Sequence, residues 1–219
     1  MVDLIRGLRA ETVRENLERV REQVVAAGRQ LSEVQILAAV KYLPVDELSP
    51  LADAGVTLLG ENRAQDLVTK VGAVAEAFTW DFIGHVQSRK VRDILPRVRY
   101  IHSVASESVL AQLGRHGDPS TEVLIEVNVA GDQGKSGIAP AELERYLERC
   151  PVKVVGLMTM PPLASDPEDS RPHFAALRDL AQRHGLAHLS MGTSQDYVVA
   201  LQEGATIVRL GTTLYAGAP

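Results

Sequence analysis

Cysteine occurs once in the 219 residues, at Cys150. A single cysteine excludes an intrachain disulfide framework and a cysteine-based metal cluster. The six histidines show no metal-ligand spacing. No apolar run approaches the roughly 20 residues needed to cross a membrane, and the amino terminus lacks the apolar core of a signal peptide. A cytoplasmic location is therefore expected. Basic residues are not in excess: 23 Lys and Arg stand against 28 Asp and Glu, a net charge of −5. That argues against a general nucleic-acid binder, which needs positive charge for phosphate contacts. No solenoid period and no low-complexity tract is visible.

What is present is a regular alternation. Hydrophobic residues make up 45% of the chain, enough for a substantial core. Eight short apolar runs read as strands: Gln35–Lys41, Val56–Gly60, Thr79–Gly84, Tyr100–Val104, Glu122–Val129, Val152–Met158, Ala187–Ser190 and Thr206–Leu210. Helical segments separate them. Val13, Leu17, Val20 and Val24 mark one helical face before the first strand, and Leu67, Val71, Val74 and Phe78 mark another. Alternating strands and helices imply parallel strands. The expected fold is α/β, a (β/α)₈ barrel with an extra amino-terminal helix, occupying residues 1–219 as one domain. On that reading no second domain remains to cover the mouth. The proline-rich stretch 160–172 follows strand six and so lies at the mouth, more a connector than a lid.

Lysine closes the first strand: Ile36-Leu37-Ala38-Ala39-Val40-Lys41, then Tyr42-Leu43-Pro44. The carboxyl ends of the strands are where α/β folds carry their chemistry. Partial desolvation there favours a neutral amine, and neutral amines form Schiff bases with aldehydes. The alternative for Lys41 is a surface lysine just past a strand.

Near the other end, Leu189-Ser190-Met191-Gly192-Thr193-Ser194-Gln195-Asp196 and Ile207-Val208-Arg209-Leu210-Gly211-Thr212-Thr213 each run from a short strand into glycine and hydroxyl residues. Ser194 is expected to cap a helix reaching about Glu203, with Asp196 in its first turn. Glycines and bare N–H groups at helix starts bind phosphate, and the loops after strands seven and eight are the usual cradle in such barrels. Ordinary turns use the same residue types. Together with Lys41, the pair suits a phosphorylated aldehyde. Arg209 sits within strand eight where alternation calls for an apolar residue, so it needs a ligand or an ion-pair partner inside the mouth. Other strand-end candidates are Asn62, which suits a helix cap equally well, the lone His85, Asn128, Met158 and Lys135.

The segments AVKYLP, GENRAQ, WDFIGHVQSRK, GKSGI, GLMTM, LSMGTSQD and VRLGTTLYAG resemble, in order, those of the pyridoxal phosphate homeostasis protein family, itself similar to the barrel domain of alanine racemase. The likeness runs from about Leu37 to Gly217. It implies that Lys41 forms the internal aldimine with pyridoxal 5′-phosphate (PLP). It implies that Ser194, Gly211 and Thr212 hold the phosphate with help from a Ser190–Gly192 turn, that Arg209 faces the pyridine nitrogen, and that Asn62 and Met158 lie near the ring. His85 matches a position that some members fill with histidine. Three positions depart from the family pattern. Leu43 replaces a second lysine, Thr193 a methionine and Arg89 an asparagine.

Arginine does not give up its proton, so it leaves the ring nitrogen unprotonated and the ring a weak electron sink. The resemblance then implies a PLP-binding protein acting in cofactor homeostasis and transfer to apo-enzymes, with little or no catalysis; a monomer is expected because the site requires no neighbouring subunit. A PLP-dependent racemase-like enzyme and a Schiff-base aldolase working without cofactor are the alternatives.

Overall fold

A computed structural model describes residues 4–74 and 77–217. Helix α1 (Ala10–Ala26) precedes β1 (Gln35–Ala39). There follow α2 (Ser49–Asp53), β2 (Leu58–Glu61), α3 (Ala64–Val74), β3 (Thr79–Phe82), α4 (Val91–Ile94) and β4 (Tyr100–Val104). Next come α5 (Glu107–His116), β5 (Glu122–Glu126), α6 (Leu143–Arg149), β6 (Lys153–Met158) and α7 (Arg171–Arg183). The chain continues through β7 (His188–Thr193), α8 (Tyr197–Gln202), β8 (Ile207–Leu210) and α9 (Thr212–Tyr215). The eight strands pair in sequence order, all parallel, and β1 closes on β8, with Leu37 opposite Arg209. The expected barrel and its extra helix are therefore present.

Two hydrophobic layers account for the closure. Inward-facing strand residues fill the barrel: Leu37, Leu58, Tyr100, Leu124, Val155, Met158 and Ile207 pack together inside it, β6 contributing both Val155 and Met158 across an irregular register with β5. The other parity faces the helices in one continuous outer core. Val13, Leu17, Val20 and Val24 of α1 are all buried, as their spacing required. Asn16 on the same helix donates to the carbonyls of Leu214 (2.9 Å) and Ala216 (3.0 Å), tying the added helix to the last turn of the chain.

Strand ends differ from the sequence reading in ways that matter for the mouth. β1 stops at Ala39, and Lys41 lies in a turn. Val40 still donates to Gly60 (2.9 Å), but Leu43 N–H bonds back to the Val40 carbonyl (3.0 Å) and the chain turns there. β7 runs three residues further than expected, so Ser190, Met191 and Gly192 are strand and not turn. The helix after it starts at Tyr197, not beside Ser194.

Candidate functional site

Parallel strands put every carboxyl end on one rim, so residues from distant parts of the chain share the mouth. Lys41 continues the inward parity of Leu37 and Ala39 past the end of β1. Its amine lies 4.8 Å from the centroid of the Tyr42 ring. The residue is exposed, so the desolvation expected of it is absent, and reactivity has to come from position.

That position is fixed from below by a buried pair the sequence reading passed over. Lys70 of α3 donates to the Val40 carbonyl (2.7 Å) and to Glu61 Oε2 (2.5 Å). Glu61 and Lys70 are both buried. The other Glu61 oxygen accepts the N–H groups of Asn62 (2.6 Å) and Arg63 (3.2 Å). One ion pair thereby sets both the turn carrying Lys41 and the entry to α3. Asn62 is consequently not a helix cap. Its Oδ1 is buried and has no partner, an arrangement that costs free energy unless a ligand supplies a donor.

His85 is exposed and shares a small surface cleft with Asn62, Gln87 and Lys90. Met158 ends β6 within the barrel's inner layer, 2% exposed, so it forms part of the mouth's floor. Lys135 sits in the loop after β5, 3.7 Å from Asp132. That loop is pinned beside β5 by the Val127–Ile138 bridge. Stretch 160–172 carries the exposed Leu163, forms a 3₁₀ turn at Pro167–Ser170 and leads into α7.

The two glycine-hydroxyl segments meet, as their tandem pattern suggested, but by different bonds. Ser194 does not cap α8. Its hydroxyl accepts the N–H groups of Gly211 (3.2 Å) and Thr213 (3.1 Å), joining the loop after β7 to the start of α9. Those two N–H groups are therefore not bare. Asp196 starts α8 instead, and its carboxylate takes the Thr193 N–H (2.7 Å) and the hydroxyls of Thr193 and Ser170 (3.0 Å each). Gly192 has φ +89, and a Cβ there would lie 2.6 Å from Ala200 Cβ. It permits α8 to seat against β7, a packing role and not an open cradle. Thr212 is exposed on the rim, and Gly211 half-buried.

Arg209 is 5% exposed and has no carboxylate partner among the described residues. Nη1 donates to Ser190 O (2.6 Å) and Ser190 Oγ (2.7 Å), while Nη2 donates to Thr159 O (2.9 Å) and the Met160 sulfur (2.9 Å). Of the two alternatives, no ion pair forms among the described residues, and the partners are neutral protein groups. Burial draws the guanidinium down to about 10, against the pull of Asp196 and Glu126. It stays a cation at neutral pH. All four terminal N–H groups are committed, and among the described residues Nε has no acceptor. Ser190 is wholly buried, its hydroxyl held between Arg209 and His102, so it does not reach a phosphate.

Behind Ser190 a chain of polar groups crosses the barrel. His102 Nδ1 lies 2.8 Å from Ser190 Oγ, and Nε2 lies 3.1 Å from Asp81 Oδ2. Arg99 grips Asp81 through Nη2 (2.6 Å) and Nε (3.1 Å). The sequence reading missed all three. A signal existed: Asp81 and His102 occupy the inward parity of β3 and β4, where Ile83 and Tyr100 point. Lys70 likewise interrupts the apolar face of Leu67, Val71 and Val74.

Burial works to raise the Asp81 carboxyl, but the bonds from His102 and Arg99 outweigh it and hold it below the usual range. Burial lowers the His102 imidazole, overcoming the opposite pull of Asp81. Unfolding returns histidine to about 6.5, so below that pH the unfolded chain binds the extra proton. Stability should therefore fall as pH drops from about 6.5 toward the lowered folded value. The Asp81 contribution is lost only lower, below about pH 4. Thermal unfolding across this window checks it. His102→Gln, which cannot titrate, should flatten the dependence. An equal slope in both proteins would show that other groups control it.

Comparisons with known proteins agree with this architecture. Residues 9–219 match the family described as alanine racemase, N-terminal domain. A pyridoxal phosphate homeostasis protein of Aquifex aeolicus is 39% identical over 213 residues, covering 91% of this chain and 93% of the relative. One of Pseudomonas aeruginosa is 35% identical over 224 residues, covering 96% and 97%. The structure of PipY of Synechococcus elongatus with PLP bound superposes with a TM-score of 0.79 at 29% identity, covering 93% of this chain and all of that one.

Proposed function

Because the chain belongs to the alanine racemase N-terminal-domain family, and within it to the pyridoxal phosphate homeostasis proteins, we propose that it binds PLP and acts in cofactor homeostasis, holding and passing on the group. Lys41 is the residue that takes the aldehyde covalently. Arg209 Nε would donate to the ring nitrogen, and Asn62 and Met158 would line the ring's place in the mouth. The Ser194 hydroxyl proton and the N–H and hydroxyl of the exposed Thr212 would form the phosphate end, with Gly211 beside them shaping the turn. The single observation that carries this reading is Arg209, whose one remaining N–H is left for a ligand while its other donors are fixed by protein groups. The orphaned Asn62 Oδ1 supports it.

When bound, the cofactor supplies an aldehyde that condenses with amines and a heteroaromatic ring that draws electrons from them. The protein's own residues restrain the second property. A donor that keeps its proton leaves the ring nitrogen unprotonated, which weakens the electron sink. Lys41 stands in solvent at the rim, where an incoming amine can reach it. Both features favour holding and release over turnover, with apo-enzymes that need the cofactor as acceptors.

Titration with PLP tests the reading. A visible absorbance band should develop, and it should be lost when the loaded protein is mixed with an apo-enzyme. Absence of any band would sink it. Racemisation well above that of free cofactor would show an enzyme instead. Pyridoxal should bind at least tenfold more weakly than its phosphate, because charge-assisted bonds to phosphate oxygens contribute about 1.5–3 kcal/mol each. Thr212→Val should weaken only the phosphate ester. Equal affinity for the two vitamers would remove the phosphate end from the model.

A further inference from the structure

The polar chain under Arg209 has only one consistent arrangement of protons. An arginine N–H can only donate, so Ser190 Oγ accepts from Arg209 Nη1. The single Ser190 proton then points to His102 Nδ1, 2.8 Å away, which must be bare. The imidazole proton therefore lies on Nε2, facing Asp81 Oδ2. Asp81 is held by two bonds from Arg99. Were His102 charged, its Nδ1–H would meet Ser190 Oγ, whose own proton would lose its acceptor. A second buried cation would also stand behind Arg209.

We propose that His102, backed by Asp81, is a positioning residue that orders the groups beneath Arg209 so that the guanidinium presents Nε alone to a heteroaromatic nitrogen at the mouth. It touches no ligand. It fixes the Ser190 hydroxyl as an acceptor, and that hydroxyl, with the carbonyls of Ser190 and Thr159, fixes the plane of the guanidinium. Without the His102 acceptor, the Ser190 proton turns toward other oxygens and Nη1 loses a fixed partner. The guanidinium can then rotate and Nε swings off its line. This inference rests on the reading of Arg209 as the ring-nitrogen donor, but its first test does not.

In the ligand-free protein, nitrogen NMR with labelled histidine should show His102 neutral and protonated on Nε2 at neutral pH. A proton on Nδ1, or an imidazolium, overturns the proposal whether or not the protein binds PLP. In the loaded protein, ring-labelled PLP should give a hydrogen-bonded, unprotonated nitrogen signal. His102→Leu should move that signal toward free deprotonated cofactor and weaken binding about tenfold, the loss of one charge-assisted bond. His102→Gln, whose amide offers one acceptor and one donor, should restore both. If His102→Leu does not fold, Ser190→Ala breaks the same link with little change in volume and should shift the signal in the same direction. A wild-type ring-nitrogen signal in either folded variant overturns the proposal. A wild-type protein with no cofactor band fails the functional reading instead, and the tautomer measurement still decides the relay.

Discussion

Replacing Lys41 by alanine should abolish the borohydride-reducible adduct with PLP, leaving only background labelling. The chain has five lysines, and the fold separates them sharply. Lys153 starts β6, at the opposite end of the barrel, paired with Glu122 at 2.5 Å. Lys70 approaches the same turn as Lys41 but is buried, with its amine given to Glu61 and the Val40 carbonyl. Lys90 and Lys135 lie in the loops after β3 and β5, each near an aspartate: Asp93 at 3.4 Å and Asp132 at 3.7 Å. Lys41 alone continues the inward row of β1, one strand away from Arg209 on β8, and has no carboxylate partner among the described residues. Its backbone is held by the Lys70 bond, so the covalent residue stands on a fixed turn although its side chain is exposed. Peptide mapping of the reduced protein decides the matter. An adduct mainly on Lys90 or Lys135 would show that the mouth is used differently. Because Lys41 is exposed, Lys41→Ala should change unfolding by no more than about 0.5 kcal/mol, which separates loss of chemistry from loss of fold.

Arg209→Met should have the opposite profile: a large loss of stability together with altered binding. Methionine removes the donors from Ser190 O, Ser190 Oγ and Thr159 O in a fully buried place, and orphaned buried acceptors are costly. The expected loss is about 3–5 kcal/mol, since two or three buried acceptors are orphaned at about 1–3 kcal/mol each, or roughly 10 °C in Tm at this chain length. Arg209→Glu should be worse. Its carboxylate would meet the same two carbonyl oxygens without a donor between them, near Glu126 and Asp196, which already act on the native guanidinium. Chemical denaturation of both variants, without cofactor, measures this directly. A cost under about 1 kcal/mol for Arg209→Met would mean that the carbonyls find other donors, and that Arg209 is held less firmly than its bonds indicate.

Much of this was already determined along the chain. Apolar runs at strand length, separated by amphipathic helices, specify parallel strands and a count of eight, because periodicity is a local property that burial on one face enforces. The same pattern placed Lys41, Asn62, Met158, Ser194, Arg209 and Gly211 at the carboxyl ends of strands. What only the closed barrel decided is which polar groups satisfy one another. His102 and Ser190 are 88 positions apart, and Arg209 reaches Thr159 across 50. No periodicity encodes such pairs. They arise because closure turns the inward parity of β3, β4, β7 and β8 onto a single axis, where each donor must find an acceptor or pay for desolvation. The bonds that moved Ser190 and Gly192 into the strand, moved Ser194 from the start of α8 to that of α9 and gave Lys70 to the Lys41 turn belong to that tertiary level. The residue types were legible in the sequence. Their partners depended on the curvature that brought them together.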